Sequence, residues 1–200
     1  MLNDGSLIWG LARNDMRDVT LEKPWQWTKE ERVQTEKRHA EFYLQIAQAA
    51  DEFYLQGGEK VLKGLELFDA ELTNIRAGQA WAAGKVETDD DAARLCSDYP
   101  NAAVYVMDLR VSAREQIRWQ EQASAAACRL GDKQGEGVHL NNLGVAYVGL
   151  GDMRKAIGYY EQALAIAREI DDKHHVGATL GNLGCAYYRL GEVAKAIEYH

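Results

Sequence analysis

Residues 141–160 read NNLGVAYVGLGDMRKAIGYY, and residues 181–200 read GNLGCAYYRLGEVAKAIEYH. The second stretch is a copy of the first. Aligned at an offset of 40, residues 138–160 and 178–200 are identical at 12 of 23 positions, where chance leaves about one or two. Leu140, Asn142, Leu143, Gly144, Ala146, Tyr147, Leu150 and Gly151 all recur, and so do Lys155, Ala156, Ile157 and Tyr159. A period near forty residues marks an array of stacked units, each too small to bury its own apolar face.

Each unit is read as two helices. The first spans 138–150, extended backwards through Glu136, with Leu140, Leu143, Gly144 and Tyr147 at helical spacing on one stripe. Gly151 supplies a left-handed stop, Asp152 caps the second helix, and that helix runs from 153 to about 170, where Asp171-Asp172 turns the chain. Gly144 is read as a close crossing point, so Gly144→Leu should overpack and cost about 1–3 kcal/mol. Traced backwards, 119–137 aligns with 159–177, whereas 101–111 has lost the Leu-Gly and Tyr signals. A degenerate terminal unit is expected, because it has a neighbour on one side only. Ser112 with Glu115 forms a capping box for a helix ending at Leu130.

Before the repeats, Thr28 and Glu31 form another capping box. Ala40, Tyr43, Ile46, Ala47, Ala50, Phe53 and Tyr54 then share a face, and Gly57-Gly58 ends the helix. A second helix carries Val61, Leu65, Phe68, Leu72 and Ile75 and stops near Gly84; the two are expected to pack as an antiparallel hairpin. The acidic run 87–91 reads as a solvated helix start, a short helix follows at 92–99, and Pro100 is expected to open another. The expected organisation is an N-terminal lead-in segment (1–27), a helical hairpin connector (28–86), a degenerate first repeat (87–137), a full repeat (138–177) and a truncated repeat (178–200). The sequence stops inside the second helix of a unit, so it reads as a fragment or as a chain to which further repeats are attached.

Composition agrees with an all-α protein: two prolines in 200 residues, 46% hydrophobic and 27% charged residues. A net charge of -8 is repelled by phosphate backbones, which argues against nucleic acid. No apolar run approaches the ~20 residues that cross a bilayer, so no membrane partner is expected. Cys96, Cys128 and Cys185 are odd in number, share no metal-type spacing and read as small buried residues in a reducing cytoplasm.

The residues carry little chemistry. His39 reads as structural, and His139 has Thr179 at the matching position of the next unit, so repeat packing does not demand it. His174-His175 lies in a turn, a poor metal site. Cys185 has no motif that supplies a base, and the pairs Tyr159-Tyr160 and Tyr187-Tyr188 read as core packing. No Gly-x-x-x-x-Gly-Lys-Ser/Thr loop occurs. The expectation is a non-enzymatic chain with no catalytic residue, no cofactor and no metal. If the first helix of each unit lines an inner surface, the candidate binding residues are Asn141, Asn142, Val145 and Val148 in one unit, and Asn182, Cys185, Tyr188 and Arg189 in the next. The same positions in the degenerate unit hold Asp98, Asn101, Ala102, Tyr105, Asp108 and Leu109.

The pattern Leu143-Gly144-x-x-Tyr147, then Ala156, Tyr160 and Ala163, resembles the tetratricopeptide repeat. With its forty-residue spacing it is similar to the longer variant in kinesin light chains and in the Leu-Gly-Asn-repeat adaptors of G-protein signalling. The resemblance covers about 103–200. It implies an α-solenoid whose inner groove binds a peptide, with Asn142 and Asn182 gripping the peptide backbone. The adaptors' Asn after Leu-Gly is Val145 or Cys185 here, and cations that clamp a C-terminal carboxylate are not evident. Arg38-His39-Ala40-Glu41-Phe42-Tyr43-Leu44 and 67–76 resemble the helical connector of bacterial signalling ATPases of the NB-ARC (STAND) type, which implies a sensor region for a switch. Three functions therefore stand as expectations: a peptide- or protein-binding scaffold, the ligand-sensing region of a larger ATPase, or a self-assembly module pairing through the apolar face of Val193, Ala196 and Ile197.

Overall fold

A computed structural model describes residues 28–199. The lead-in segment with Trp25 and Trp27 lies outside the described residues. Residues 35–200 form one compact unit and residues 1–34 another, of which 28–34 are described. The described residues fold into nine helices and no strand: α1 (Lys29–Leu55), α2 (Lys60–Ala83), α3 (Asp90–Ala102), α4 (Val104–Arg110), α5 (Ala113–Leu130), α6 (Lys133–Gly149), α7 (Met153–Glu169), α8 (Lys173–Leu190) and α9 (Val193–Tyr199). The chain is all-α, as the periodicity indicates.

The capping box at Thr28 is made in both directions, with Thr28 N–H donating to Glu31 and Glu31 N–H donating to Thr28 Oγ1 at 3.1 Å. Farther along, α1 and α2 run antiparallel. Gly64 of α2 lies against the backbone of Ala50 and Tyr54, Gly78 against Ala40, and Trp81 Nε1–H donates to Glu36 at 3.1 Å. The buried stripe of α1 is Ala40, Leu44, Ala47, Ala50 and Asp51; Phe53, expected on it, is exposed. Tyr99 of α3 joins the three helices, because its hydroxyl passes over Gly78 and donates to the Ala40 carbonyl at 2.7 Å. The acidic run is used locally. Asp89 caps α3 by accepting from the N–H groups of Asp91 and Ala92, Asp90 pairs with Arg129, and Asp91 pairs with Lys37 and Arg94.

The repeat is made of two near-equal halves. Helices begin at Lys133, Met153, Lys173 and Val193, twenty residues apart. Before each sits a residue at positive φ, Gly131, Gly151, Asp171 or Gly191. The next residue closes one helix and opens another: the N–H groups of Asp132, Asp152, Asp172 and Glu192 reach back to Ala127, Tyr147, Ala167 and Tyr187 carbonyls at 2.8–2.9 Å, the six-to-one bond of a Schellman stop. In the first three, the carboxylate then accepts an N–H three residues on, from Gly135, Lys155 or His175. The helix expected to begin near Glu136 thus starts at Lys133, since Asp132 provides the cap. His175 spends its ring on the same aspartate, Nδ1 to Asp172 Oδ2 at 2.6 Å.

Helices α5, α6, α7, α8 and α9 pack each against the next, and α3 packs against α5. Gly144 is the crossing point: a Cβ there would lie 2.3 Å from the Tyr160 ring. Tyr147 stacks on Tyr159 at 5.3 Å with Lys155 over its face, and Tyr187 stacks on Tyr199 at 5.4 Å with Lys195 over it. Tyr159, Tyr160 and Tyr187 are therefore packing, as expected, whereas Tyr188 is exposed. In the unit before, Trp119 replaces Tyr159 and meets Tyr99 edge-on, while Glu115 replaces Lys155 and receives Arg76 through two bonds of 2.8 Å. Glu115 therefore does not complete the capping box: Ser112 still accepts Glu115 N–H, but the carboxylate belongs to Arg76.

Candidate interaction groove

The degenerate unit is where the surface opens. Its first helix is interrupted at Ala103 (φ -145°, ψ 48°), one residue before Val104, which stands where the next unit has Gly144. A branched side chain replaces none at the crossing, and Gln120 replaces Tyr160 as the facing residue. Pro100 does not open a helix as expected; it lies in the last turn of α3, and the break follows at Ala103. The short α4 that results is pinned at both ends by other helices. Asp51 of α1 accepts the N–H groups of Tyr105 and Val106, both at 3.0 Å, supplying the cap that Ala103 cannot. Gln116 of α5 donates to the carbonyls of Met107 and Val111 at 3.1 and 3.0 Å, closing the other end.

Between α4, the start of α5 and α6 lies a cavity of about 330 Å³. Val104, Met107 and Val111 form one wall, Asn142 and Val145 the other, and Asp108 is the one charged residue lining it. The Asn142 side chain makes no hydrogen bond and Asp108 no ion pair among the described residues. Partial enclosure raises the Asp108 carboxyl above its usual range; burial does the same to Asp51, against the two N–H donors that favour its charged form. In the next unit Tyr160, only 2% exposed, fills the space over Gly144, and Val148 stands in place of Asp108.

The eight sequence-selected residues fall into four places. Asn142 and Val145 line this cavity. Asn141 and Asn182 meet each other instead: Asn182 Nδ2–H donates to Asn141 Oδ1 at 3.0 Å, and the Thr179 hydroxyl reaches the same oxygen at 3.4 Å, tying α6 to α8. Val148 packs into the core shared by α7, α8 and α9. Cys185, Tyr188 and Arg189 lie elsewhere, in a hollow with Val193, Ala196 and Ile197. Sequence reasoning missed Val104, Met107, Val111 and Gln116, whose role arises from the helix break.

A second feature escaped the sequence. His139 is fully buried, its Nδ1 2.9 Å from Gln120 Oε1 and its Nε2 2.9 Å from Ser97 Oγ. The network assigns the proton to Nδ1, with the Ser97 hydroxyl donating to Nε2. Burial lowers its pKa to about 4, so it is neutral near pH 7. A serine beside a histidine invites comparison with a nucleophile and its base. This pair is sealed from solvent, its third member is an amide rather than a carboxylate, and the imidazole is a weak base; it cross-links α3, α5 and α6. Among the described residues no group of three His, Cys, Asp or Glu is placed to hold a metal ion, and no helix is long and apolar enough to cross a membrane.

A family model described as the tetratricopeptide repeat matches residues 117–169 and 136–200. Residues 117–200 are tetratricopeptide-like repeats. Tetratricopeptide repeats generally mediate protein–protein interaction. No curated protein sequence matches the chain. Among solved structures, the chain is similar to a Signal Transduction ATPase with Numerous Domains (STAND) protein with a tetratricopeptide repeat sensor from Pyrococcus horikoshii, at 24% identity and a TM-score of 0.62 over 82% of this chain. It spans 23% of that protein's length. It is also similar to BtubC (BKLC) from P. vanneervenii, at 19% identity and a TM-score of 0.53, covering 87% of this chain and 72% of that one. Both likenesses concern the fold.

Proposed function

We propose that this chain is a protein-interaction scaffold that holds a peptide or protein segment in the cavity between α4, α5 and α6. One observation supports this reading: the cavity's wall offers the Asn142 amide and the Asp108 carboxylate, both without a partner among the described residues, beside apolar Val104, Met107 and Val145. An amide grips a peptide backbone, and apolar walls receive a side chain. Cys96, Cys128 and Cys185 are free thiols; Cys96 is buried as expected, whereas Cys128 and Cys185 are exposed, and free thiols fit a reducing compartment such as the cytoplasm. A random dodecapeptide display library panned on the full chain tests the reading. Peptides should be recovered whose binding is lost on Val145→Arg, which plants a long side chain in the cavity; recovery of none would end the groove proposal.

A second reading places the chain as the sensor region of a larger STAND-type ATPase, motivated by a likeness that runs over hairpin and repeats together. The parent open reading frame decides it: a nucleotide-binding domain is expected there, and a frame without one removes this reading. A third reading is self-association through Tyr188, Val193 and Ile197, which are 68%, 50% and 71% exposed. Light scattering over a concentration series should then show mass rising with concentration, and a constant monomer mass refutes it.

A further inference from the structure

We infer that the segment held between α4, α5 and α6 presents an apolar side chain next to a Lys or Arg, and that Asp108 recognises the cation. This rests on the groove reading above and names the chemistry of its ligand. The two repeat junctions, compared position by position, carry the inference. At the later junction Gly144, Tyr160 and Val148 leave a filled contact with no acid, Tyr160 being buried against Gly144 and near Arg189. At the earlier one the same places hold Val104, Gln120 and Asp108, and a cavity lies there. The space and the charge thus enter together, at one junction.

Among the described residues, nothing pairs with this charge. Arg110, at the end of the same helix, is taken by Asp69 at 2.8 Å. Arg114 and Arg118 line a separate hollow with Arg76 and Glu115. The two amides nearest on α5 are committed, Gln116 to the end of α4 and Gln120 to His139. Asp51 sits close enough to add a second negative charge to the field at Asp108, and its own oxygen is occupied by two backbone N–H groups. An anionic ligand, such as a free C-terminal carboxylate or a phosphorylated side chain, meets repulsion here with no cation to offset it. A ligand that sets an ammonium or guanidinium at the cavity mouth and an aliphatic group on Val104, Met107 and Val145 satisfies both halves of the lining.

The test uses the dodecapeptides that Val145→Arg excludes. Their sequences should be enriched in Lys or Arg adjacent to Leu, Ile, Val or Met. For the tightest of them, fluorescence anisotropy on the full chain and on Asp108→Asn should show affinity falling about twofold to fivefold, the range of a partly exposed ion pair. Replacing the peptide's basic residue by Gln should cause the same loss in the parent chain and little further loss in Asp108→Asn. Circular dichroism confirms that the variant folds. Groove-dependent peptides that are neutral or acidic, or an affinity indifferent to Asp108→Asn, overturn the inference while leaving the groove intact. A panning that yields no peptide sensitive to Val145→Arg defeats the groove, and the inference with it.

Discussion

Single residues decide how closely the helices approach. Gly144 has the Tyr160 ring where its side chain would be, so even Gly144→Ala should destabilise the chain, by about 1–3 kcal/mol on the scale of overpacked cores; the midpoint of urea unfolding checks it. Asp171 is the converse case. It holds φ 56° where the other three junctions have glycine, and it pays for a conformation that L side chains disfavour. Asp171→Gly should therefore raise stability by about 0.5–1 kcal/mol, and a lowered thermal midpoint would show that the aspartate is used for something else. His139 gives the chain a pH response. Its folded pKa lies below its unfolded value of 6.5, near 4, so the unfolded chain takes up a proton first as pH falls. Stability supplied above pH 6.5 is lost progressively down to about 4, amounting to about 2–3 kcal/mol at pH 4.5. Raised carboxyls at Asp51, Asp98 and Asp108 act with the opposite sign, because the folded chain takes up those protons first. The histidine is isolated by comparison with His139→Thr, the residue at the matching position of the next unit. That variant should show a shallower decline between pH 6.5 and 4.5, and an unchanged slope contradicts the assignment.

Among the elements, α4 is the one whose place depends on others. At seven residues it is too short to be stable alone, and Asp51 and Gln116 hold its two ends. Asp51→Ala should cost about 1–2 kcal/mol, as the loss of a helix cap does, and should speed amide hydrogen exchange over 104–110 more than over α7. Asp51→Asn keeps an acceptor and should restore most of the protection. Equal exchange in parent and Asp51→Ala would mean that the cap does not set the position of α4. The sequence could not show this clasp, because Asp51 and Tyr105 are fifty-four residues apart and no local pattern links them. What it did show were local features: the offset of 40, Gly144 as the crossing point, the stop at Gly151 and the cap at Asp152. Boundaries slipped where a tertiary partner intervened, as when Arg76 drew Glu115 away from Ser112 or when the helix ran through Pro100 and broke at Ala103. The same limit applies to the site. Position within the repeat selected Asn142 and Val145 together with Asn141 and Asn182, but only coordinates separate the amide left free from the two that tie α6 to α8.

For the molecule, the pattern is a row of similar helix pairs in which one member has changed. The later junction is packed and has Arg189 rather than an acid near Tyr160; the earlier one, at the broken helix, has space, apolar walls and a carboxylate with no ion-pair partner among the described residues. The alternative surface, around Tyr188, Val193 and Ile197, is apolar and carries Arg189 rather than an acid. A ligand suited to one should not suit the other. Methyl-resolved NMR of the full chain, titrated with the tightest panned peptide, separates them most directly. The account predicts shifts at the methyl groups of Val104, Met107, Val111 and Val145, with Val193 and Ile197 unmoved. Shifts at Val193 and Ile197 that leave the α4–α6 cavity untouched would contradict it.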